Sequence, residues 1–511
     1  MNRSALWLAL AVVWVAGCPA GAIAPSGGAD GPAGPDGRGP ADAPVGLDAA
    51  RSADAPRPVD APARADAGPI VSAAFPLGRS GDGRTLVDRN GAPFLVAGDA
   101  PQCLTARLSV AEMSAFFTKR GQQGFNAAWV NALCTTYTGG NGDATTYDGI
   151  APFTKRLGGV YDLSAPNEAF FARVDAAVDA AAQNGIVLFL DPIETGGFLD
   201  TLRQNGVAGA RGYGRYLGQR YVNRDNIVWL NGNDFQTWRT QSDDDVVRAV
   251  ALGIRDMDGR HLQTVELDYP ISSSLDDAAD WASAQSPILG INSTYTYNPT
   301  YAQLYKDYNR TAFLPNVMIE ANYEGENNLG GPHTTNAHDC RTQYYWTVLA
   351  GGAGSFYGNR AIWPLADGWQ SHLDDAGAVQ IRFVQAVFGA RAWYRLVPDQ
   401  DNVVVTSGFG TFSASGNAQD NTYATTARAA DGTLVMTYMP TPRDLQVDMS
   451  KLSAPAFASW YDPTTGASSA VAGSPLPASG TRTFSPPAAP HADGFADWVL
   501  ILETQRLEIT P

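Results

Sequence analysis

The chain has 511 residues, with 35 Lys and Arg against 51 Asp and Glu, so its formal net charge is −16. This excess of negative charge repels phosphate backbones and anionic lipids, which argues against nucleic-acid binding and against electrostatic attachment to membranes. A neutral or weakly charged partner fits better. The length corresponds to about three domains, before the N-terminal segment is taken out of that count.

Residues 1–18, MNRSALWLALAVVWVAGC, combine one basic residue, an apolar run and small residues before Cys18. The run is shorter than the roughly 20 residues that span a bilayer, which predicts an export signal peptide. Its ending resembles the bacterial lipobox, in which the cysteine is lipidated; an ordinary secretory signal is the alternative. We therefore expect an exported protein, lipid-anchored at the bacterial cell surface or in the periplasm, or otherwise secreted.

Residues 19–68 are dominated by Ala, Pro, Gly and Asp and contain no aromatic residue. Such a segment cannot bury enough apolar surface to offset the entropy of ordering, which predicts a disordered tether. The prediction leaves two folded domains, at 69–400 and 401–511.

Residues 69–400 alternate apolar strand-like runs with amphipathic helical patterns, which is typical of a parallel sheet with crossover helices. Helical patterns occupy 108–121, 167–184, 243–257, 340–350 and 376–396. Eight strand-like runs predict a (β/α)8 TIM barrel. They lie at 93–100, 125–133, 186–193, 226–234, 262–269, 287–295, 316–324 and 354–363. Short alternating runs after residue 401 predict a C-terminal antiparallel β-sandwich.

Polar side chains recur where the predicted barrel strands end, which is where barrel enzymes carry their catalytic groups. Two of them are carboxylates, Asp234 and Glu320, and glycosidic bond cleavage needs such a pair. Helix caps or structural ion pairs are the alternative use of these two residues. The residues at the strand ends are Asp99, Asn131, Asp191, Asp234, Asp268, Tyr295, Glu320 and Tyr357.

Aromatic residues also concentrate near these ends, where their faces can stack on sugar rings or fill the barrel and the helix–sheet layer. For Trp229, which lies between Val228 and Leu230, the filling role is preferred. The aromatic residues are Trp129, Trp229, Tyr295, Tyr297, Tyr323, Tyr357 and Trp363.

Other chemistries lack their motifs. The chain contains no G-x-S-x-G, no P-loop and no strand-linked G-x-G-x-x-G, which argues against an α/β-hydrolase and against nucleotide chemistry. The cluster His333, His338 and Cys340 lacks H-E-x-x-H spacing. We expect no metal and no cofactor. Besides Cys18, three cysteines allow at most one disulfide, among Cys103, Cys134 and Cys340, and their spacing leaves the pairing open.

Several segments together resemble the apiosidase-like catalytic domain, a family that includes glycoside hydrolase family 140. They are GDAPQCL (98–104), FNAAWVN (125–131), IVWLNGND (227–234), IEANYEG (319–325) and RTQYYWTVLAGGAGSFYGNRAIW (341–363). Near the C-terminus, WYDPTTG (460–466) and DWVLIL (497–502) resemble the β-domain that usually follows it. That domain is named for collagen binding, but nothing in these residues favours collagen.

The resemblance implies a retaining mechanism, with Asp234 as acid/base and Glu320 as nucleophile. Ile319 and Ala321 replace the Gly and Pro that are usual in the family, and Glu324 is the rival nucleophile. Arg341, Tyr357 and Trp363 match positions of the substrate site. We further expect Asn233 to hold a sugar hydroxyl, Tyr295 to bind substrate, and Asp99, Asn131 and Asp191 to line the rim, where they bind hydroxyls or orient Arg341.

These expectations define a glycoside hydrolase that acts on side chains of a plant or microbial polysaccharide. The alternative is a non-catalytic surface lipoprotein that binds carbohydrate or matrix. The expected partner is an oligo- or polysaccharide, with no nucleic acid, membrane contact only through the lipid anchor, and a monomeric chain.

Overall fold

The computed structural model describes residues 74–505, except 236–239, 270–272, 278–280 and 282–286. The predicted signal peptide, the lipidation site at Cys18 and the predicted tether lie outside the described residues. Within the described part, no helix has the length and apolar character that a membrane crossing requires.

Eight parallel strands in the described part form one sheet, which confirms the predicted barrel. The order in the sheet is β5-β4-β3-β2-β1-β8-β7-β6. The strands are β1 (Val96–Asp99), β2 (Ala127–Asn131), β3 (Val187–Asp191), β4 (Ile227–Asn231), β5 (Gln263–Val265), β6 (Asn292–Tyr295), β7 (Asn316–Glu320) and β8 (Gly354–Tyr357).

The sheet nearly closes between β5 and β6. Here the Thr264 hydroxyl donates to the Ile291 carbonyl over 3.0 Å, so side-chain bonding joins the two edges. The opposite, N-terminal end of the barrel is plugged by a three-stranded antiparallel sheet, Gly78–Arg79, Leu86–Val87 and Pro93–Phe94. Phe75 and Leu86 from this region belong to the same buried cluster as the barrel interior. The C-terminal ends of the strands are therefore left for the functional site.

Helices cover the outside of the barrel. They are α1 (Leu104–Arg107), α2 (Val110–Gln122), α3 (Glu168–Gln183), α4 (Thr195–Tyr221), α5 (Gln241–Met257), α6 (Thr300–Tyr308), α7 (Ala337–Leu349) and α8 (Ala376–Gly389).

Helix α4 is not predicted by any helical pattern in the sequence. Its glycine content gives it a low intrinsic helix propensity, and Gly206 (φ 65°) interrupts it. Tertiary packing stabilises it instead, because Gly214 and Gly218 let α4 approach α5 so closely that a Cβ at either position would collide with the α5 backbone.

The described residues that follow the barrel form two packed antiparallel sheets, which confirms the predicted sandwich. Their facing side chains, among them Val435, Val447 and Leu500, form a separate buried core. One sheet has the order β9-β11-β12-β17-β14-β15 and the other β10-β13-β16. The strands are β9 (Leu396–Pro398), β10 (Val405–Ser407), β11 (Thr425–Ala429), β12 (Leu434–Met439), β13 (Leu445–Asp448), β14 (Phe457–Tyr461), β15 (Ser468–Ala470), β16 (Thr481–Phe484) and β17 (Trp498–Glu503).

Candidate active site

Asp234 lies just beyond β4 and is the last of three consecutive residues with a left-handed backbone. Gly232 (φ 112°), Asn233 (φ 74°) and Asp234 (φ 55°) all have positive φ, a conformation that costs energy for residues other than glycine. Thr195 at the start of α4 holds this segment. Its hydroxyl donates to the carbonyls of Gly232 and Asn233, each over 2.9 Å. The Asp234 N–H donates to Oε2 of Glu266 over 2.8 Å.

Glu320 reaches the barrel interior because β7 ends in a bulge. Val317 belongs to the interior cluster and Met318 to the outer one, as strand alternation requires. Ile319 again faces inward, so strict alternation would direct Glu320 outward. The pairing of β6 with β7 shifts at this point, from Thr294 opposite Met318 to Tyr295 opposite Glu320. The extra residue of the bulge turns the Glu320 carboxylate inward.

Tyrosine hydroxyls surround the Glu320 carboxylate. Tyr297 donates to Oε1 over 2.9 Å and Tyr323 to Oε2 over 2.8 Å. Tyr295 lies 2.5 Å from Tyr297, hydroxyl to hydroxyl, and its hydroxyl near the site lowers the pKa of both Glu320 and Asp234 against the larger opposite effect of burial. The charge of Asp234 acts on Glu320, so the structure brings the two predicted carboxylates into one site.

A fourth tyrosine, Tyr137, approaches from the loop after β2 and donates to Oδ2 of Asp234 over 2.7 Å. The buried carboxylate of Glu194 holds this loop by accepting the N–H of Thr135 over 2.7 Å and the hydroxyls of Thr135 and Thr138. The Cys103–Cys134 disulfide ties the start of the same loop to the segment after β1, which settles the pairing that the sequence left open. Cys340 is a buried free thiol.

Burial and mutual repulsion dominate the electrostatics of the site. Burial raises the pKa of Asp234, and burial together with the Asp234 charge raises that of Glu320. Burial and the charge of Asp234 raise the pKa of Asp268 to about 6. The pKa of Glu266 lies well above its usual value, from burial and from the charges of its carboxylate neighbours. No described arginine or lysine contributes to the pKa of Asp234 or Asp268.

Strand alternation places two of the predicted rim residues on the outside of the barrel. Gly98 faces inward against Phe356, so Asp99 points outward, where it pairs with Arg120 over 2.6 Å. It therefore does not orient Arg341. Tyr357 faces outward for the same reason, since its neighbour Phe356 is in the interior cluster.

Tyr357 donates over 2.5 Å to Oε2 of Glu324, the rival nucleophile. The other oxygen of Glu324 accepts the Gly377 N–H in the first turn of α8 over 3.4 Å. Glu324 thus contacts the start of a helix, and the structure does not bring it to Asp234.

Arg341 also lies away from the site. Its guanidinium donates to both oxygens of Asp497 in the sandwich, over 2.8 and 2.6 Å, and to Asp493 over 2.7 Å. The sequence could not show this contact because the two partners are far apart in the chain. Arg341 joins the barrel to the sandwich.

The remaining predicted residues lie at or under the site. Asn131 is buried, and its Nδ2 lies 3.5 Å from Oδ1 of Asn233. Trp363 packs on the top of the interior cluster and donates to Glu326 over 2.8 Å. Asp191 is fully buried, its Oδ1 accepting the Ile193 N–H over 3.1 Å, and no described contact links it to Asp234 or Glu320.

Sequence reasoning missed Tyr137, Glu266 and Tyr269. Tyr269 is 37% exposed, and its ring centroid lies 5.2 Å from that of Tyr297. A sequence pattern does indicate Glu266. Thr264, Glu266 and Asp268 occupy alternate positions, which predicts a row of polar side chains that face inward on β5 and just beyond it. Tyr137 is on a loop with no periodicity, so its approach to Asp234 depends on the tertiary structure.

Comparison with solved structures shows which proteins share this fold. A protein titled "Glycoside hydrolase" aligns with a TM-score of 0.70 at 22% identity, over 85% of this chain and 98% of its own. A glycoside hydrolase family 5 protein from Bacteroides vulgatus aligns with a TM-score of 0.68 at 24% identity, over 84% and 93%. At this identity the likeness shows the shared fold. No curated protein matches the chain.

Two family models match the chain in order. The apiosidase-like catalytic domain matches residues 80–395, and the domain described as "Putative collagen-binding domain of a collagenase" matches 397–503. Barrel, carboxylates and family together define a glycoside hydrolase. The first match covers more than half of the chain, so the chain belongs to the apiosidase-like family.

Proposed function

We propose that this protein is a retaining glycoside hydrolase, with Glu320 as nucleophile and Asp234 as acid/base. The observation that carries the proposal is the proximity of the two carboxyl groups, since burial and the charge of Asp234 together raise the pKa of Glu320. The resemblance to the apiosidase-like family implies a retaining pair, with carboxyl groups about 5–5.5 Å apart, rather than the gap of about 6.5–9.5 Å that leaves room for water in inverting enzymes.

The hydrogen bonds to the two carboxyl groups indicate which one is the nucleophile and which one is the acid/base. Glu320 accepts from Tyr297 and Tyr323, and donors to a carboxylate favour its anion. Asp234 accepts from Tyr137 and so has fewer donors than Glu320. We assign the proton of the pair to Asp234 for the reaction, although burial and the Asp234 charge raise the pKa of Glu320 to about 8. In the first step Glu320 attacks the anomeric carbon while Asp234 gives its proton to the leaving oxygen. In the second step Asp234 takes a proton from water, which then displaces Glu320.

The charge of the site favours a neutral sugar as substrate. Asp234, Asp268 and Glu320 form a cluster of carboxyl groups with no described cation acting on Asp234 or Asp268. A carboxylated sugar bound there would be repelled. The exposed ring of Tyr269 offers a stacking face beside this cluster, and Asp268 next to it can accept sugar hydroxyls.

A cavity of about 270 Å³ adjoins Tyr137 and the start of α4. Tyr137 connects it to Asp234, the proposed proton donor. Because the acid/base lies on the side of the leaving group, we assign this cavity to the part of the glycan that leaves. Asp200 and Arg203 at its edge supply polar groups for that part.

The test is a screen of the purified protein against p-nitrophenyl glycosides of neutral pentoses and hexoses and against pectic and hemicellulosic oligosaccharides. Glu320→Gln should abolish release of every leaving group. Asp234→Asn should lose cleavage of the oligosaccharides but keep part of its rate on p-nitrophenyl glycosides, whose leaving group needs little protonation. Glu324→Gln is the matched control and should keep activity.

The anomeric configuration of the first product, read by NMR, tests the mechanism. Retention supports the proposal, and inversion rules out Glu320 as nucleophile. Full activity of Glu320→Gln, or loss confined to Glu324→Gln, would reverse the assignment. Binding of a glycan without cleavage would favour the carbohydrate-binding alternative.

We also propose that Cys18 is lipidated and anchors the enzyme at the cell surface. The support is the sequence pattern of residues 1–18. Expression in a bacterial host should place the wild type in the membrane fraction and Cys18→Ser in the soluble fraction. Equal distribution of the two would contradict the anchor.

A further inference from the structure

Glu266 is a buried carboxyl group inside the barrel that the mechanism above does not use. Val265 and Leu267 belong to the outer cluster between sheet and helices. Alternation along the strand therefore directs the side chain between them inward. Its carboxyl group interacts electrostatically with Asp234, Glu320 and Asp268. Glu266 thus lies among the carboxylates of the proposed site.

One carboxyl oxygen of Glu266 is hydrogen-bonded to the protein backbone. Oε2 accepts the N–H of Asp234 over 2.8 Å, and the Glu266 N–H donates to the Asn231 carbonyl over 2.7 Å. A Cβ at Gly232 would collide with the Glu266 carbonyl, so the two segments touch without room for a side chain. Glu266 therefore fixes the left-handed turn that carries Asp234.

The other oxygen, Oε1, is buried and has no hydrogen-bond partner among the described residues. Buried polar atoms are almost always paired, so an unpaired one requires an explanation. Burial and the neighbouring carboxylates raise the pKa of Glu266 well above its usual value, which favours the protonated, neutral form. Because Oε2 accepts the Asp234 N–H, the proton of the neutral form belongs on Oε1, which is then a donor without an acceptor.

We propose that Glu266 is a third carboxyl group of the active site, which holds Asp234 through Oε2 and donates a hydrogen bond from Oε1 to an oxygen of the bound sugar. The inference rests on the proposed function, since it takes a glycoside as ligand. Glu266 keeps its proton throughout the reaction, and proton transfer belongs to Asp234. The neutral carboxyl group of Glu266 can recognise a hydroxyl or the ring oxygen of the sugar, and it adds no further negative charge to the site.

Two substitutions separate this role from packing. Glu266→Gln keeps an acceptor and an N–H donor in the same shape, whereas Glu266→Met keeps the length and removes both. On the glycoside that the wild type cleaves, we expect kcat/KM of Glu266→Gln to fall by about tenfold or less. Glu266→Met should lose about a hundredfold or more, as expected for the loss of a donor in an active site.

The pH profile gives the second reading. Replacement of a neutral acid by an amide leaves both limbs of the kcat/KM profile in place. If Glu266 were an anion, Glu266→Gln would lower the pKa values of Asp234 and Glu320, and both limbs would move to lower pH. Such a shift, or equal activity of the Gln and Met variants, overturns the proposal.

An infrared measurement tests the protonation without using activity. The difference spectrum of ligand-free wild type minus Glu266→Gln at neutral pH should contain the carbonyl stretch of a protonated carboxyl. The control pair, wild type minus Glu168→Gln, removes an exposed carboxylate and should contain carboxylate stretches alone. Carboxylate stretches in the Glu266 difference would refute the proposal. If the wild type cleaves no glycoside, the proposed function fails, and this spectrum still decides the state of Glu266.

Discussion

The phenolic hydroxyl of Tyr137 donates a hydrogen bond of 2.7 Å to Oδ2 of Asp234. Tyr137 belongs to the loop after β2, and Asp234 follows β4, so the bond joins two segments at the C-terminal ends of strands that flank β3. It stabilises the anion of Asp234 and lowers its pKa, while burial raises it. The proton affinity of the proposed acid/base is therefore set by two opposed effects, which can be altered separately.

Tyr137→Phe removes the donor and leaves the ring. Because the hydrogen bond favours the anion, its loss raises the pKa of Asp234, and the basic limb of the kcat/KM profile should move to higher pH by about one unit. Profiles of wild type and Tyr137→Phe on one glycoside test this. A basic limb that stays in place would show that the bond does not tune Asp234.

Asp268→Asn should act in the opposite direction. Burial and repulsion from the Asp234 charge raise the pKa of Asp268 to about 6, and by reciprocity the Asp268 anion raises that of Asp234. Without it the pKa of Asp234 falls, and the basic limb should move to lower pH. The double variant with Tyr137→Phe should lie between the two single variants, and a limb that rises in Asp268→Asn would contradict the repulsion.

The Cys103–Cys134 disulfide should stabilise the loop that carries Tyr137. It closes a loop across a sequence separation of 31, and such crosslinks contribute about 2–4 kcal/mol to the free energy of unfolding. Reductant should lower the stability of the wild type in denaturant unfolding to that of a Cys103→Ser, Cys134→Ser double variant. The double variant itself should not respond to reductant. A wild type that is equally stable in both conditions would argue against this role.

Arg341 should stabilise the folded protein through its ion pair with Asp497. Loss of one partner of a buried ion pair costs about 3–5 kcal/mol, so Arg341→Met should lower the melting temperature. Arg211→Met, which breaks an exposed pair with Asp256, is the control and should change it little. Equal melting temperatures of the two variants would show that the Arg341 contact contributes little.

The same pair predicts a pH dependence. Arg341 lowers the pKa of Asp497 below its usual value, so the stabilisation is present above the unfolded pKa and is lost as pH falls through the folded pKa. The difference in stability between wild type and Arg341→Met should therefore shrink in acid. A difference that stays constant down to low pH would contradict this linkage.

The sequence alone determined the architecture and the two central carboxylates. Buried parallel strands read as continuous apolar runs, as in VLFLD of β3, and such runs are local. Helix α4 was missed because its stability comes from close packing against α5, which propensity does not register. The position of Asp234 and Glu320 near strand ends was also visible, since a barrel gathers those ends on one face.

Only the tertiary structure decided which side of the barrel wall each polar residue faces. Strand alternation turns Asp99 and Tyr357 outward, whereas one bulge in β7 turns Glu320 inward. A shift of one residue reverses the direction of a side chain, and nothing in the local sequence marks it. The contacts of Arg341 and Tyr137 also depend on the tertiary structure. Their partners Asp497 and Asp234 are distant in the chain and meet them only in the folded protein.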